Sequence, residues 1–238
     1  MSDERLPGGF VNEVVRVGDT VRRAPASEFV HRLLRHLEPW PGAPRFRGID
    51  SGREVLDYLD GHVAWERTQP ADVTSDESLV RVAQLVREFH DLTAGTELAG
   101  DQEVVCHNDL SPKNTVYRDL GEGLRPVAFI DWDIAAPGRR VHDVAHVCWQ
   151  YLNLGPTSDV DAAARGVRLI SDAYGLTDRA ELVDTILWWQ DRCRRGIEAT
   201  NTPAHEHLRA AGVPAEIRAA YDWVAANRNS IVGSPNEF

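Results

Sequence analysis

The stretch from residue 104 to residue 133 carries carboxylate, amide and imidazole side chains at the ends of short apolar runs. The runs are rich in β-branched residues, which is typical of buried strands, and a rigid scaffold presents the polar ends to ligands. Asp109 and Asn114 lie five residues apart across a loop in which Pro112 prevents a helix, and Asp131 follows a later apolar run. Two carboxylates and an amide oxygen suit Mg²⁺ and a phosphoryl group, so the stretch predicts chemistry on phosphate.

The composition indicates a folded chain and narrows its partners. The 238 residues are 42% hydrophobic, which argues against disorder, and the formal net charge is −11. That charge disfavours a nucleic-acid groove and an anionic membrane surface, and it permits a cationic substrate. No apolar run approaches the roughly 18 residues that span a bilayer, and no signal peptide is visible at the start of the sequence.

Cysteine use favours a reducing compartment. The sequence holds three cysteines, an odd number, with no CxxC pair. Cys106 and Cys148 fall in apolar runs, which is typical of buried thiols in a cytoplasmic protein. We therefore expect a cytoplasmic protein.

The elements around the polar stretch change character along the chain. Residues 14–23 alternate around Gly18-Asp19 and predict a β-hairpin; a helix ending before Pro39 and two strands at 45–50 and 54–59 follow. A capping box at 74–77 opens a further helix, and most of the chain after residue 141 has helical periodicity. Strands and helices do not alternate regularly, which argues against a long parallel sheet. The sequence predicts an α+β fold with a β-rich lobe at 1–60 and a mainly helical lobe at 61–238.

The polar stretch resembles the aminoglycoside phosphotransferase and choline kinase family. The similarity rests on the run Val105–Asn114, with its His-Asn-Asp, and on Phe129-Ile130-Asp131-Trp132-Asp133; a glycine turn at residues 8–12 and an Arg140-x-x-Asp143 pair support it. Protein kinases space the corresponding Asp and Asn equally but carry different neighbours, and this chain lacks an APE-type segment. Membership implies a bilobal, protein-kinase-like fold, ATP or GTP as phosphate donor, and Mg²⁺.

The resemblance implies a role for each matching residue. Asp109 would accept or orient the proton of the substrate hydroxyl, and Asn114 and Asp131 would hold Mg²⁺. His107 is expected to hold the loop by hydrogen bonding, and Asp143 to brace it from a helix. An alternative for Asp143 is a carboxylate favoured by the positive end of a helix dipole. The remaining expected site residues are Gly8, Gly9, Arg23, Asp57 and Leu59 on the nucleotide side, and Ser111 and Lys113 beside the γ-phosphate.

One departure from the family concerns the lysine that usually ends the third strand. Arg23 falls at that place, and Arg binds phosphate in a different geometry from Lys. An ordinary surface arginine is the alternative interpretation. Glu28 is the nearest candidate for the helical glutamate that would pair with this cation.

Four alternatives for function remain open at this stage. The acceptor could be an aminoglycoside, since Asp184, Asp191 and Glu198 share a helix face, although a solvated charge face explains that spacing equally well. It could instead be a metabolite such as an amino alcohol or sugar. The missing lysine motivates a non-catalytic nucleotide-binding protein. Two His-Asp dipeptides, at 90–91 and 142–143, motivate a helical metal-dependent phosphohydrolase. We expect a monomer or homodimer that binds a nucleotide and a small hydroxyl-bearing acceptor.

Overall fold

A computed structural model describes residues 4–6, 14–66 and 68–233. The chain opens with a five-stranded antiparallel sheet in the order β1-β2-β3-β5-β4. Its strands are β1 (Glu4–Arg5), β2 (Val15–Val17), β3 (Thr20–Arg23), β4 (Phe46–Asp50) and β5 (Arg53–Asp57). The predicted hairpin is confirmed: Val17 pairs with Thr20 across a two-residue turn in which Gly18 has φ +64°. Gly8 and Gly9 lie outside the described residues.

Helix α1 (Glu28–His36) follows β3 and covers part of this sheet. Ser27 caps it by accepting a hydrogen bond from the amide of Val30, which satisfies one of the free donors of the first turn. The helix buries an apolar stripe that includes Leu33 and Leu34. Polar and charged residues occupy its other face.

The link out of this sheet is tied to the strands that follow. β6 (His62–Val63) pairs with β8 (Thr115–Asp119), which pairs in turn with β9 (Leu124–Phe129). Gly61 has φ +152°, and a Cβ there would lie 2.6 Å from the carbonyl oxygen of Tyr117. Only glycine allows this approach of two backbones. The lobe boundary at residue 60 stays a prediction.

The remaining elements place the polar stretch at residues 104–133 against a group of helices. β7 (Val104–Cys106) pairs antiparallel with β10 (Ala136–Gly138), and a 3₁₀ turn (Pro112–Asn114) leads into β8. The helices are α2 (Asp76–Thr93), α3 (Arg140–Tyr151), α4 (Val160–Tyr174), α5 (Arg179–Ala199), α6 (Pro203–Ala210), α7 (Val213–Ala226) and α8 (Arg228–Val232). Ser75 rather than Thr74 caps α2, so the predicted capping box is off by one residue. Gly175, with φ +85°, ends α4 as its spacing predicted.

One apolar cluster includes residues of α1, of the polar stretch at 104–133 and of the helices that follow it. Leu33 of α1 and Phe89 of α2 belong to the same buried cluster as Trp132 and Leu182. The antiparallel sheet followed by a helical base confirms the predicted α+β class. Within the described ranges, no helix combines the length and the apolar composition needed to cross a membrane.

Candidate active site

Asp109 and Asn114 meet at the mouth of the loop between β7 and β8. The side-chain nitrogen of Asn114 donates to the carbonyl oxygen of Asp109 at 2.8 Å and to its carboxylate Oδ2 at 2.8 Å. The loop closes because the backbone amide of Asn114 donates to the carbonyl of Ser111 at 3.0 Å. Since its nitrogen faces Asp109, the amide oxygen of Asn114 faces away from it. The convergence predicted from the spacing is therefore present.

Asp131 is held beside this pair by the backbone. The amide of Ile130 donates to the carbonyl of Asn114 at 2.9 Å, which joins the end of β9 to the start of β8. Asp131 itself has φ +65°, an uncommon conformation for a residue with a side chain, and its side chain is 47% exposed. Strain at such a position is characteristic of sites where a fold must present one side chain.

His107 is buried beneath the loop. Its Nε2 lies 3.1 Å from the carbonyl oxygen of Ile130, and its Nδ1 accepts from the amide of Asp109 at 3.3 Å. The ring packs against Trp132 with centroids 4.6 Å apart. These contacts join the Asp109 loop to the Asp131 segment from below, in keeping with the structural role expected for this histidine.

Asp143 contacts the same loop from α3. Its carboxylate accepts from the amides of His107 at 2.7 Å and Asn108 at 2.9 Å, and from the ring of His90 at 3.1 Å. Burial opposes its ionisation, yet these hydrogen bonds and the histidine hold the pKa of Asp143 below its ordinary value. The group is a carboxylate at neutral pH and therefore acts only as an acceptor. Asn108 is in the left-handed region at φ +67°.

Arg23 is the centre of an ion cluster that the sequence did not predict. Its guanidinium binds Glu54 at 2.5 Å, Asp131 at 3.0 Å and Asp133. The residue is 8% exposed, so the interpretation as an ordinary surface arginine is wrong. Burial opposes the charge, but the neighbouring carboxylates outweigh it and raise the pKa of Arg23 above its ordinary value.

The partner expected for this cation was also wrong. Glu28 is 76% exposed and lies near Arg35 at 3.6 Å. Glu54 takes that part from the neighbouring strand, because β3 and β5 pair with Arg23 directly opposite Glu54. Glu54 is completely buried and also accepts from His31 of α1 at 2.7 Å and from the amide of Ala26 at 2.9 Å.

The cluster holds more negative than positive charge. Three carboxylates, of Glu54, Asp131 and Asp133, surround the single guanidinium of Arg23. Burial, and then the charge of Asp131, raise the pKa of Asp133 despite the opposing effect of Arg23. Since the Asp131 and Asp133 side chains are partly exposed, this excess of carboxylate oxygen suits a hard divalent cation.

The other predicted residues lie around this centre in different states. Ser111 is 2% exposed, and its carbonyl accepts from Asn114 and from Thr115 Oγ1, so it supports the loop from inside. Lys113 is exposed. The carboxylate of Asp57 binds Arg47 through two hydrogen bonds of 2.5 and 3.1 Å, and Leu59 is half-buried. The Asp57 carboxylate is therefore engaged within the sheet.

The residues behind the phosphohydrolase alternative do not assemble as that alternative requires. His142 stacks on Trp188 at 5.2 Å, while Nδ1 of buried His146 binds the carbonyl of Leu110 at 2.8 Å. The potential ligand atoms of His90, Cys106 and Asp143 lie within 4.8 Å of one another, but each is already hydrogen bonded. Burial raises the pKa of the Cys106 thiol, which keeps it protonated and a poor metal ligand.

Two carboxylates and an amide thus lie together beside Arg23, a buried arginine of the sheet. Comparisons with known proteins identify the class of site. The model of the phosphotransferase enzyme family matches residues 96–182, which include the loop from His107 to Asn114 and Asp131. The trifolitoxin immunity protein of Rhizobium leguminosarum bv. trifolii is 31% identical over 97% of this chain and 98% of its own length. The chain belongs to the phosphotransferase enzyme family, in the group that includes that protein.

Solved structures show the same fold at low sequence identity. Ethanolamine kinase from Plasmodium vivax is similar over 97% of this chain and 82% of its own, with 14% identity and a TM-score of 0.62. The GDP complex of aminoglycoside 2′-phosphotransferase-IIIa gives 18% identity, 96% and 94% coverage and a TM-score of 0.61. An aminoglycoside phosphotransferase from Streptomyces rimosus, in complex with ADP and streptomycin, is similar over 79% of this chain and 90% of its own. The identity is 15% and the TM-score is 0.59. The predicted kinase-like fold and phosphotransferase class are confirmed.

Proposed function

We propose that this protein transfers the γ-phosphate of ATP or GTP to a hydroxyl group of a small molecule. The observation that carries the proposal is the convergence of Asp109, Asn114 and Asp131 on one loop mouth. Phosphoryl transfer needs little covalent work from a protein: it needs an oriented hydroxyl, positive charge on the phosphates and exclusion of competing water. The described residues supply groups for the first two needs.

Asp109 orients the acceptor hydroxyl and takes its proton as the new phosphate ester forms. Its Oδ2 is fixed by the amide nitrogen of Asn114 at 2.8 Å, so the other oxygen is left to meet the hydroxyl. The amide of Asp109 rests on His107, which fixes the backbone as well. Because Asp109 is fixed at one carboxylate oxygen and at its backbone amide, it loses little freedom when substrate binds. This favours the rate of transfer rather than affinity alone.

The donor set fits Mg²⁺. Asp131 and Asp133 offer hard carboxylate oxygens, and Asn114 offers an amide oxygen facing away from Asp109. We assign Asn114 and Asp131 as its ligands. When bound, the ion neutralises phosphate charge. Arg23 then adds a fixed positive charge beside the phosphates, in place of the usual strand lysine.

The nucleotide base is expected beside the link that follows β5. The Asp57 carboxylate is held by Arg47, and the backbone amides of Asp57 and Tyr58 donate to the carbonyls of Arg45 and Asp19, so the backbone of Leu59 is what this segment presents to a base. Gly8 and Gly9 are proposed to let backbone amides approach the phosphates. Exposed Lys113 is proposed to stand near the γ-phosphate.

The acidic residues of α5 bear on the charge of the acceptor. Asp184 binds Arg228 at 2.7 Å, and Asp191 and Glu198 both bind Arg194, at 2.8 and 2.7 Å. The acidic face of α5 is thus neutralised by arginine, which removes support for a strongly cationic acceptor along it. We propose that the acceptor is a small soluble molecule. We also propose that the protein is a cytoplasmic monomer or homodimer and that it binds neither nucleic acid nor a membrane.

Calorimetric titration with a non-hydrolysable ATP or GTP analogue tests the donor side. We expect binding that needs Mg²⁺, and Asp131→Asn should weaken it at least about ten-fold, since a charge-assisted contact contributes roughly 1.5–3 kcal/mol. Asp119→Asn, at an exposed position at the end of β8, is the matched control and should leave binding unchanged. Nucleotide affinity that is the same with and without Mg²⁺ would contradict the proposal.

A second candidate function is protection against a toxin. It is favoured by the 31% identity with the trifolitoxin immunity protein across nearly the full length of both chains. If protection works through phosphoryl transfer, cells expressing this chain should survive a toxin that kills the parent strain, and the Asp109→Ala variant should lose that survival at equal expression. Survival retained in the variant would indicate protection by binding alone.

A further inference from the structure

The catalytic loop lies at one end of a buried hydrogen-bond chain that runs through three helices. We propose that Tyr174 of α4 and His90 of α2 are positioning residues for Asp109, acting through Asp143. The effect that this proposal predicts on kcat rests on the proposed phosphotransferase function. The effect that it predicts on the structure of the loop does not. We refer to Tyr174, His90 and Asp143 as the bracing chain.

The distances and chemistry fix the direction of every bond in the bracing chain. His90 is 0% exposed; its Nε2 lies 3.1 Å from Asp143 Oδ2 and its Nδ1 lies 2.8 Å from the Tyr174 hydroxyl. An ionised carboxylate only accepts, so Nε2 must carry the ring proton. Nδ1 is then an acceptor, and Tyr174 must donate to it.

The outer end of the bracing chain completes this pattern. Arg140 of α3 donates from Nη1 to the Tyr174 oxygen at 3.1 Å, which leaves the tyrosine proton free to point at His90. Arg140 is held in turn by Asp91 at 2.8 Å. Arg87 donates to the Tyr174 carbonyl at 3.1 Å, just before Gly175 ends α4. The Tyr174 hydroxyl therefore accepts from Arg140 and donates to His90.

The inner end of the bracing chain determines the loop. Asp143 spends its oxygens on His90 and on the amides of His107 and Asn108. Asn108 is kept at φ +67°, which costs energy unless its surroundings enforce it, and Asp109 is the next residue. If the Tyr174 hydroxyl is removed, Nδ1 of His90 loses the donor that it has in the bracing chain, and the ring is held at Nε2 alone. The ring can then rotate, which weakens its bond to Asp143 and the hold of Asp143 on the loop.

Burial supports one further property of the histidine. Because burial outweighs the carboxylate beside it, the pKa of His90 is lowered, so the ring is neutral at neutral pH and a defined tautomer exists to be observed. A neutral ring accepts a hydrogen bond at Nδ1, and for this reason removal of one distant hydroxyl can reach the loop.

Tyr174→Phe is the decisive variant, because it removes one oxygen and little volume. In ¹⁵N-labelled protein we expect wild-type His90 to show a protonated Nε2 and an unprotonated Nδ1. In the variant, the Nδ1 signal should shift toward the free-acceptor value, and the amides of His107 and Asn108 should exchange with solvent roughly ten-fold faster, as for the loss of one hydrogen bond. Tyr221→Phe, on α7, is the matched control and should change neither.

Kinetics separates positioning from a general loss of structure. Tyr174→Phe should lower kcat on the order of ten-fold with KM for nucleotide nearly unchanged. His90→Gln keeps a donor for Asp143 and an acceptor for Tyr174, so it should retain most of the activity that His90→Leu loses. A protonated Nδ1 in the wild type, or unchanged loop exchange in Tyr174→Phe, would overturn the proposal. Changed exchange without any phosphotransfer in the wild type would instead contradict the proposed function alone.

Discussion

Replacing Asp109 with alanine should abolish phosphoryl transfer and leave nucleotide binding nearly intact. The carboxylate contacts Asn114 but makes no ion pair among the described residues, so its removal disturbs the loop little. A positioned base typically contributes on the order of 10²–10⁴ in rate, and we expect kcat to fall within that range. The measurement is phosphomonoester formation together with calorimetric affinity for the Mg²⁺–nucleotide complex.

Two companion variants make this result specific. Asp109→Asn keeps the shape of the side chain and its hydrogen bond with Asn114 but removes the charge, and it should be nearly as inactive. Asp101→Ala removes an exposed carboxylate from a turn before β7 and should have no effect. Equal turnover in wild type and Asp109→Ala would show that another group handles the hydroxyl.

Replacing Arg23 with alanine should weaken nucleotide binding and destabilise the fold together. Glu54 is fully buried and would lose the charge 2.5 Å away, and breaking one half of a buried pair costs about 3–5 kcal/mol. Loss of the phosphate contact that we propose for Arg23 should lower nucleotide affinity roughly ten- to one-hundred-fold. Chemical denaturation measures the free energy of unfolding, and calorimetry measures the affinity.

The neighbouring Arg22 provides the matched control. It lies on the same strand but pairs with Asp50 at 2.8 Å with both side chains partly exposed, so Arg22→Ala should cost at most about 1 kcal/mol. The double variant Arg23→Ala with Glu54→Gln should regain part of the lost stability, because no buried charge is left unpaired, without regaining affinity. Unchanged affinity in Arg23→Ala would return the arginine to a purely structural role.

The parts of the site that follow from local spacing could be predicted from the sequence. Asp109 and Asn114 lie within one loop, and His107 precedes them directly, so their proximity needs no knowledge of distant packing. The hairpin turn at Gly18 and the helix stop at Gly175 are also local, since each depends on a positive φ at one residue. Helix α1 was predicted in the same way, from the spacing of its apolar residues.

The parts that depend on register and packing could not be predicted in this way. Glu54 meets Arg23 because β3 pairs with β5. Glu28 was only the nearest helical glutamate in the sequence, and it faces solvent. Asp133 was read as part of the motif only, and its contact with Arg23 joins residues 110 positions apart.

The bracing chain illustrates the same limit. His90 was noted in the sequence as half of a His-Asp dipeptide, but its partner is Asp143, 53 residues away, rather than the adjacent Asp91. Tyr174 lies on α4, and its hydroxyl reaches His90 across 84 residues. Such pairs form when helices pack, and no short-range pattern marks them.

The central claim is that this protein makes a phosphate ester on a hydroxyl group. The most direct measurement is mass spectrometry of a panel of aminoglycosides, amino alcohols and sugars after incubation with protein, Mg²⁺ and γ-¹⁸O-labelled ATP or GTP. We predict one acceptor class that gains a phosphate carrying the label from the donor, formed by wild type and absent with Asp109→Ala. Firm Mg²⁺–nucleotide binding with no labelled ester on any hydroxyl compound would contradict the account and identify a nucleotide-binding protein without transfer.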